Sequence, residues 1–219
     1  MLRSLGKTGL EIAPLVFGGN VLGWTIDEKT SFQVLDAFID HGFNAIDTAD
    51  VYSAWGPGNK GGESETIIGK WLKGRAGMRD KVTIFTKVGS DLGVLGKKGL
   101  SEKWILQAVD ESLTRLGVGE IDLYFSHWPD PETSYEETLG GYDKLLKAGK
   151  VRAIGASNYS AERLEEALAT SRANNLPAYV SLQPHYNLME RPPFEEHWRP
   201  HACDISWASF RITRLPADF

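Results

Sequence analysis

A single cysteine in 219 residues leaves no possibility of a disulfide within the chain. That fits a reducing compartment, and the cytoplasm is the expected location. No apolar run approaches the ~18 residues of a membrane span. Residues 1–7 have no apolar core behind them that would read as a secretory signal. Excess positive charge is also lacking. Lys and Arg number 24 against 29 Asp and Glu, a formal net charge of -5, with no dense basic run. Neither a membrane nor a nucleic acid is therefore an expected partner. Hydrophobic residues make up 42% and charged residues 24%, which excludes a disordered or disulfide-stapled chain. A chain of this length buries a sizeable core without cross-links.

What the sequence does have is alternation. Short β-rich runs end near residues 15–18, 44–47, 82–86, 121–126, 151–155 and 179–182. They recur every ~30 to 40 residues, the size of one βαβ unit. The stretches between them carry helix signals. Ser101 reads as an N-cap, followed by an apolar stripe of Trp104, Ile105, Ala108, Val109, Leu113 and Leu116 and by Gly117 as a stop. Residues 27–41 repeat the plan with Phe32, Leu35, Phe38 and Ile39, and Ser160 opens a third such helix. Residues 2–5 and 10–12 flank Gly6-Lys7-Thr8-Gly9 and predict a small β-hairpin ahead of the first parallel strand. Six βα units predict an α/β fold with a parallel sheet, which a doubly wound sheet and a barrel both satisfy. Residues 1–194 read as one domain. Residues 195–219 read as an aberrant tail, with no clean period of 2 or 3.6.

Barrel chemistry sits where strands end. There the chain places Asp47 with Tyr52 five residues on, then Lys87, His127, Ser157-Asn158 and Gln183. Each taken alone has an ordinary explanation as a turn, solvated or packing residue. Their joint position carries the functional reading. A phenol gives up its proton near pH ~10. An ammonium beside it stabilises the phenolate and makes it a better acid. An Asp holds the ammonium charged, and a His donates to a carbonyl oxygen or helps carry a proton. The set suits protonation of a developing alkoxide. The hydride for such a reduction must come from a cofactor.

Other motifs weigh less. Gly56-Pro57-Gly58-Asn59-Lys60-Gly61 matches G-x-G-x-x-G, but it lies nine residues past the strand ending at Asp47 and reads as a flexible loop. His197, His201 and Cys203 have zinc-like spacing without a fourth ligand. Asp47, Asp50 and His127 could hold a metal in a barrel hydrolase, a reading that leaves Tyr52 and Lys87 unexplained. No metal is expected.

Asp47-Thr48-Ala49-Asp50-Val51-Tyr52, Gly62-Glu63-Ser64-Glu65, Thr86-Lys87-Val88-Gly89, His127-Trp128-Pro129, Gly155-Ala156-Ser157-Asn158 and Gln183-Pro184-His185-Tyr186-Asn187 together resemble the aldo-keto reductase superfamily. The opening Leu5-Gly6-Lys7-Thr8-Gly9-Leu10 resembles its bacterial members and their potassium-channel β-subunit relatives. The resemblance implies a (β/α)8 TIM-type barrel with an N-terminal β-hairpin, of which about six of eight βα units are recognisable. It implies reduction of a small aldehyde or ketone with NADPH. Tyr52 is then the general acid, Lys87 and Asp47 its tuning pair, and His127 the group that orients the carbonyl. Ser157, Asn158 and Gln183 would hold the nicotinamide carboxamide, with Asp47 beside them, and Gly19 and Asn20 match a cofactor-contacting loop. Trp24, Trp55 and Trp128 are candidates for the substrate wall.

The family's seventh and eighth strands should follow residue 191, and neither is recognisable. One codon choice for residues 207–219, read two bases in, spells Gly-Val-Val-Pro-Tyr-Tyr-Ala-Leu-Ala-Ser-Gly-Phe, which resembles the seventh strand and the loop after it. A frameshift is therefore the leading expectation, and a natural divergent end the alternative. The expected barrel is open at strands 1 and 6, and open edges promote self-association. A non-catalytic remnant or binding module of the same fold is the alternative to an impaired enzyme.

Overall fold

The computed structural model describes residues 2–187, 189, 191, 193–198 and 208–209. Strands β1 (Arg3–Ser4) and β2 (Glu11–Ile12) form the expected antiparallel hairpin, Arg3 opposite Ile12. Seven further strands make one parallel sheet. They are β3 (Val16–Gly18), β4 (Ala45–Asp47), β5 (Thr83–Val88), β6 (Ile121–Ser126), β7 (Val151–Ser157), β8 (Ser181–Gln183) and β9 (Ala208–Ser209). Their order in the sheet is their order in the chain. A doubly wound sheet reverses direction at a switch point. Uninterrupted order is the winding of a curled TIM-type barrel, here as an incomplete one.

Helices α1 (Glu28–Asp40), α2 (Glu63–Lys73), α3 (Glu102–Leu116), α4 (Tyr135–Lys147) and α5 (Ala161–Asn174) fall between the strands. Local chemistry sets their ends. The side chains of Asp27, Ser101, Ser134 and Ser160 accept from the amides of Thr30, Trp104, Glu137 and Arg163. On α3 the predicted stripe is buried at Trp104, Ile105, Ala108, Val109 and Leu116, and Gly117 closes the helix at φ 66. Among the described residues, no helix is long and apolar enough to cross a membrane.

Period-two alternation decides which side chains face inward. Ile46, Ile84, Tyr124, Ile154 and Leu182 pack outward in the large core shared with the helices. Ala45, Phe85, Leu123, Phe125 and Ala153 point the other way. They meet Leu5, Leu10 and Ile12 of the hairpin in a second, inner core. The hairpin thus covers the inner layer. Continuing the inward rows by two residues gives Asp47, Lys87 and His127, and continuing the β7 row from Ala153 through Gly155 gives Ser157. Gln183 lies two past the inward Ser181. The candidate site is the next layer of the inner face.

The tail departs from expectation in two ways. Residues Pro193–Trp198 form a short π-helix, in which Phe194 is buried and packs edge-on against Tyr186 at 5.3 Å. Strand β9 pairs with β8, Ser181 opposite Ala208. The sixth parallel strand therefore does not keep the open edge expected of it. A two-residue strand needs only main-chain pairing and leaves no periodic signal. Among the described residues, β3 pairs on one side only, with β4. The side chains of His197, His201 and Cys203 lie outside the described residues. So does the residue 207–219 string, apart from the backbone of β9.

Candidate active site

Asp47 ends β4, and Lys87 lies one residue inside the end of β5, where the sequence placed it last. Lys87 is fully buried. A buried ammonium must have all three of its donors met. Lys87 Nζ donates to Asp47 Oδ2 at 2.6 Å, to the Thr48 carbonyl at 2.8 Å and to Tyr52 Oη at 3.0 Å. Burial works against its charge, but Asp47 and Tyr52 outweigh that and hold Lys87 above the ordinary lysine range. Tyr52 reaches this point because the chain after β4 turns back under main-chain bonds. The Thr48 amide donates to the Phe85 carbonyl at 2.8 Å and the Asp50 amide to the Lys87 carbonyl at 3.2 Å.

His127 follows β6 directly, its amide donating to the Val88 carbonyl at 2.8 Å. Its ring stands edge-on to Tyr52 with centroids 5.8 Å apart. Nδ1 shares a hydrogen bond with Ser90 Oγ at 3.0 Å, which fixes the ring's orientation. The four residues expected to share chemistry therefore converge. Ser90 was not anticipated. Its only signal is its place three residues beyond Lys87. The Thr48 carbonyl, a backbone group, leaves no signal at all.

The second group is joined to the first. Gln183 Nε2 donates to Asp47 Oδ1 at 3.1 Å, and Ser157 Oγ donates to the Gln183 carbonyl at 3.1 Å. Asn158, in the left-handed region at φ 59, sends Nδ2 to the His127 carbonyl at 2.9 Å and to Ser157 Oγ at 3.1 Å. Gly19 is buried, and its carbonyl accepts from Ser64 Oγ at 2.7 Å. Asn20 is exposed beside it. Three indoles line the mouth. Trp24 and Trp55 meet edge-on at 5.7 Å, Trp55 lies 6.1 Å from Tyr52, and Trp128 stacks on His127 at 6.0 Å.

The Asp50 side chain makes no hydrogen bond in this cluster. It is buried, and neither carboxyl oxygen has a hydrogen-bond partner among the described residues. Burial first, then the Glu65 carboxylate, pushes it well above the ordinary carboxylate range. Asp47 spends its two oxygens on Lys87 and Gln183. Among the described residues, no three His, Cys, Asp or Glu side chains come together as a metal site. The Gly62-Glu63-Ser64-Glu65 motif proves to be architectural. Glu63 accepts from the Lys60 and Gly61 amides, Ser64 bonds Thr48 Oγ1, and Glu65 accepts from Thr86 Oγ1 and Arg115 Nε.

Comparison with known proteins gives this arrangement a lineage. The model of the aldo/keto reductase family matches residues 14–204, ten residues beyond the point where the motifs fade. Aldo-keto reductase YhdN of Bacillus subtilis is 38% identical over 207 residues, covering 92% of this chain and 58% of that protein. A putative voltage-gated potassium channel subunit beta of Schizosaccharomyces pombe is 34% identical over 206 residues, 90% of this chain and 57% of that one. An uncharacterized 11.2 kDa protein in the crtE 3' region of Pseudescherichia vulneris is 72% identical over 91 residues, 42% of this chain and 88% of that protein. The chain thus spans a little over half the length of its longer relatives, and with the family model matched over most of its residues it belongs to the aldo/keto reductase family.

Proposed function

We propose that the chain is an oxidoreductase that reduces a small aldehyde or ketone, with NADPH as hydride donor and Tyr52 as general acid. The observation that carries this reading is the three-way contact of Lys87 Nζ with Asp47, Thr48 and Tyr52 in a buried setting. An ammonium fixed against a phenol oxygen favours release of the phenolic proton. Tyr52 O–H donates to the carbonyl oxygen and transfers its proton as negative charge develops there. The His127 ring, held by Ser90, orients that oxygen.

The residues at the ends of β7 and β8 fit a nicotinamide carboxamide. Ser157, Asn158 and Gln183 offer donors and acceptors in one cluster anchored to Asp47. When bound, the cofactor supplies the hydride. Gly19 and Asn20, which follow β3, would contact it on that side. We also propose slow turnover for these 219 residues beside the longer relatives, since among the described residues this cluster would hold the nicotinamide end alone and remote binding energy normally positions the reacting ring. The pairing of β3 on one side only among the described residues supports self-association, and the single cysteine supports a cytoplasmic setting.

Consumption of NADPH by the purified chain over a panel of small carbonyl compounds tests the reading. Tyr52→Phe keeps the ring and removes the proton. It is expected to lower kcat by on the order of 10² to 10⁴ while leaving NADPH affinity within about twofold. Reduction at an unchanged rate by the Phe variant overturns the assignment.

A further inference from the structure

The G-x-G-x-x-G segment at 56–61 is unused by the proposed chemistry, yet it is pinned in place. Asn59 Nδ2 donates to two main-chain carbonyls at once, Gly23 at 2.9 Å and Ser53 at 2.9 Å. These belong to different loops. Gly23 precedes Trp24 in the loop after β3. Ser53 follows Tyr52 in the loop after β4. The second loop is tightened further. Ser53 is buried at φ 75, and its Oγ donates to the Leu22 carbonyl at 2.5 Å. Main-chain bonds run from the Gly56 amide to the Ser53 carbonyl and from the Asn59 amide to the Gly56 carbonyl, both 3.0 Å. A Cβ on Gly56 would lie 2.6 Å from Asn59 Nδ2 and 2.8 Å from Trp24 Cβ, so this glycine answers to close packing of the two loops rather than to a phosphate. The loops carry the aromatic pair at the mouth. Trp24 Nε1 donates to the Asn20 carbonyl at 2.5 Å, the partly exposed Trp24 and Trp55 meet edge-on, and Trp55 in turn stands beside Tyr52.

We propose that Asn59 is a positioning residue: its one amide group latches the Trp24 loop to the Tyr52 loop and so sets the wall against which a flat aromatic carbonyl compound is held. The substrate part of this statement rests on the function proposed above. The latch itself does not. An NH2 group with one N–H for each of two carbonyls requires an amide at this position. A carboxylate of the same shape donates nothing and faces two carbonyl oxygens.

The test is Asn59→Asp in the full chain. The chain has 7 tryptophans, each with one indole N–H resonance. Trp24→Phe and Trp55→Phe assign two of them. The latch predicts that Asn59→Asp displaces those two resonances while the rest hold their positions. It also predicts that the affinity for para-nitrobenzyl alcohol, read by tryptophan quenching, falls by about tenfold, because the wall is no longer held in its binding position before the ligand arrives. In turnover, KM for benzaldehyde rises by the same factor with kcat changed less than about threefold. A uniform displacement of all indole resonances, or an unchanged affinity, overturns the proposal. Should Asn59→Asp fail to fold, Gly56→Ala gives the same readings, because its methyl group drives Asn59 and Trp24 apart. A chain without carbonyl reduction refutes the function above, while resonance and quenching still decide the latch.

Discussion

Gln183 Nε2 donates to Asp47 Oδ1 at 3.1 Å across 136 residues of chain. Asp47 Oδ2 meanwhile accepts from Lys87 Nζ at 2.6 Å. One carboxylate therefore binds the sixth parallel strand and the third to the second. The group proposed as the acid and the cluster proposed for the nicotinamide form a single hydrogen-bonded unit rather than two neighbouring sites.

Asp47→Asn is expected to weaken the fold as well as the site. The Lys87 ammonium stays buried and loses its counter-charge, a loss worth about 3 to 5 kcal/mol when one partner of a buried pair is removed. Urea unfolding measures it. The pair Asp47→Leu with Lys87→Met removes both charges and is expected to recover most of the loss. A single variant as stable as the parent contradicts this view of the pair.

The sequence carried most of this architecture because strands and site share one register. Asp47, Lys87, His127 and Ser157 continue inward rows whose apolar members are legible by alternation, and helix caps such as Ser101 need only local chemistry. What it hid was of other kinds. The Thr48 carbonyl that accepts from Lys87 is main chain, and any residue supplies one. Ser90 acts through a bond to His127, a residue 37 positions away in the chain that only the fold brings to it. Asn59 sat inside a pattern read as a flexible loop, and its two acceptors are again carbonyls. Strand β9 has two residues, too few for any period.

Asp50→Asn is expected to stabilise the chain in a pH-dependent manner. Burial and the nearby Glu65 carboxylate raise Asp50 well above its ordinary value of 3.8, against partial relief from Arg115 and Lys87. The stability that the protonated carboxyl contributes is fully present below 3.8 and falls as pH rises toward the raised folded value, because only the unfolded chain releases the proton. Asn carries no such dependence. The gain in Tm of the variant over the parent should be small near pH 4.5 and larger at pH 8. Equal gains at both contradict it.

Two glycines should respond oppositely to alanine. Gly155 on β7 faces inward, and a Cβ there would lie 2.4 Å from the Phe125 ring. Gly155→Ala therefore overpacks the inner core and is expected to cost about 1 to 3 kcal/mol. Gly140 lies within α4, with nothing within 4 Å of the added carbon. Gly140→Ala is expected to gain about 0.5 to 1 kcal/mol through helix propensity. Thermal melts of both variants decide.

The central claim is that the buried Lys87 ammonium makes Tyr52 an effective acid. The pH dependence of kcat for Lys87→Met, measured at saturating NADPH beside the parent chain, tests it most directly. Methionine fills the space of the lysine stem and supplies no charge. The account predicts that kcat at pH 7 falls by on the order of 10² to 10⁴ and that the high-pH limb moves upward. A Lys87→Met chain with kcat within about threefold of the parent and an unmoved limb would contradict it.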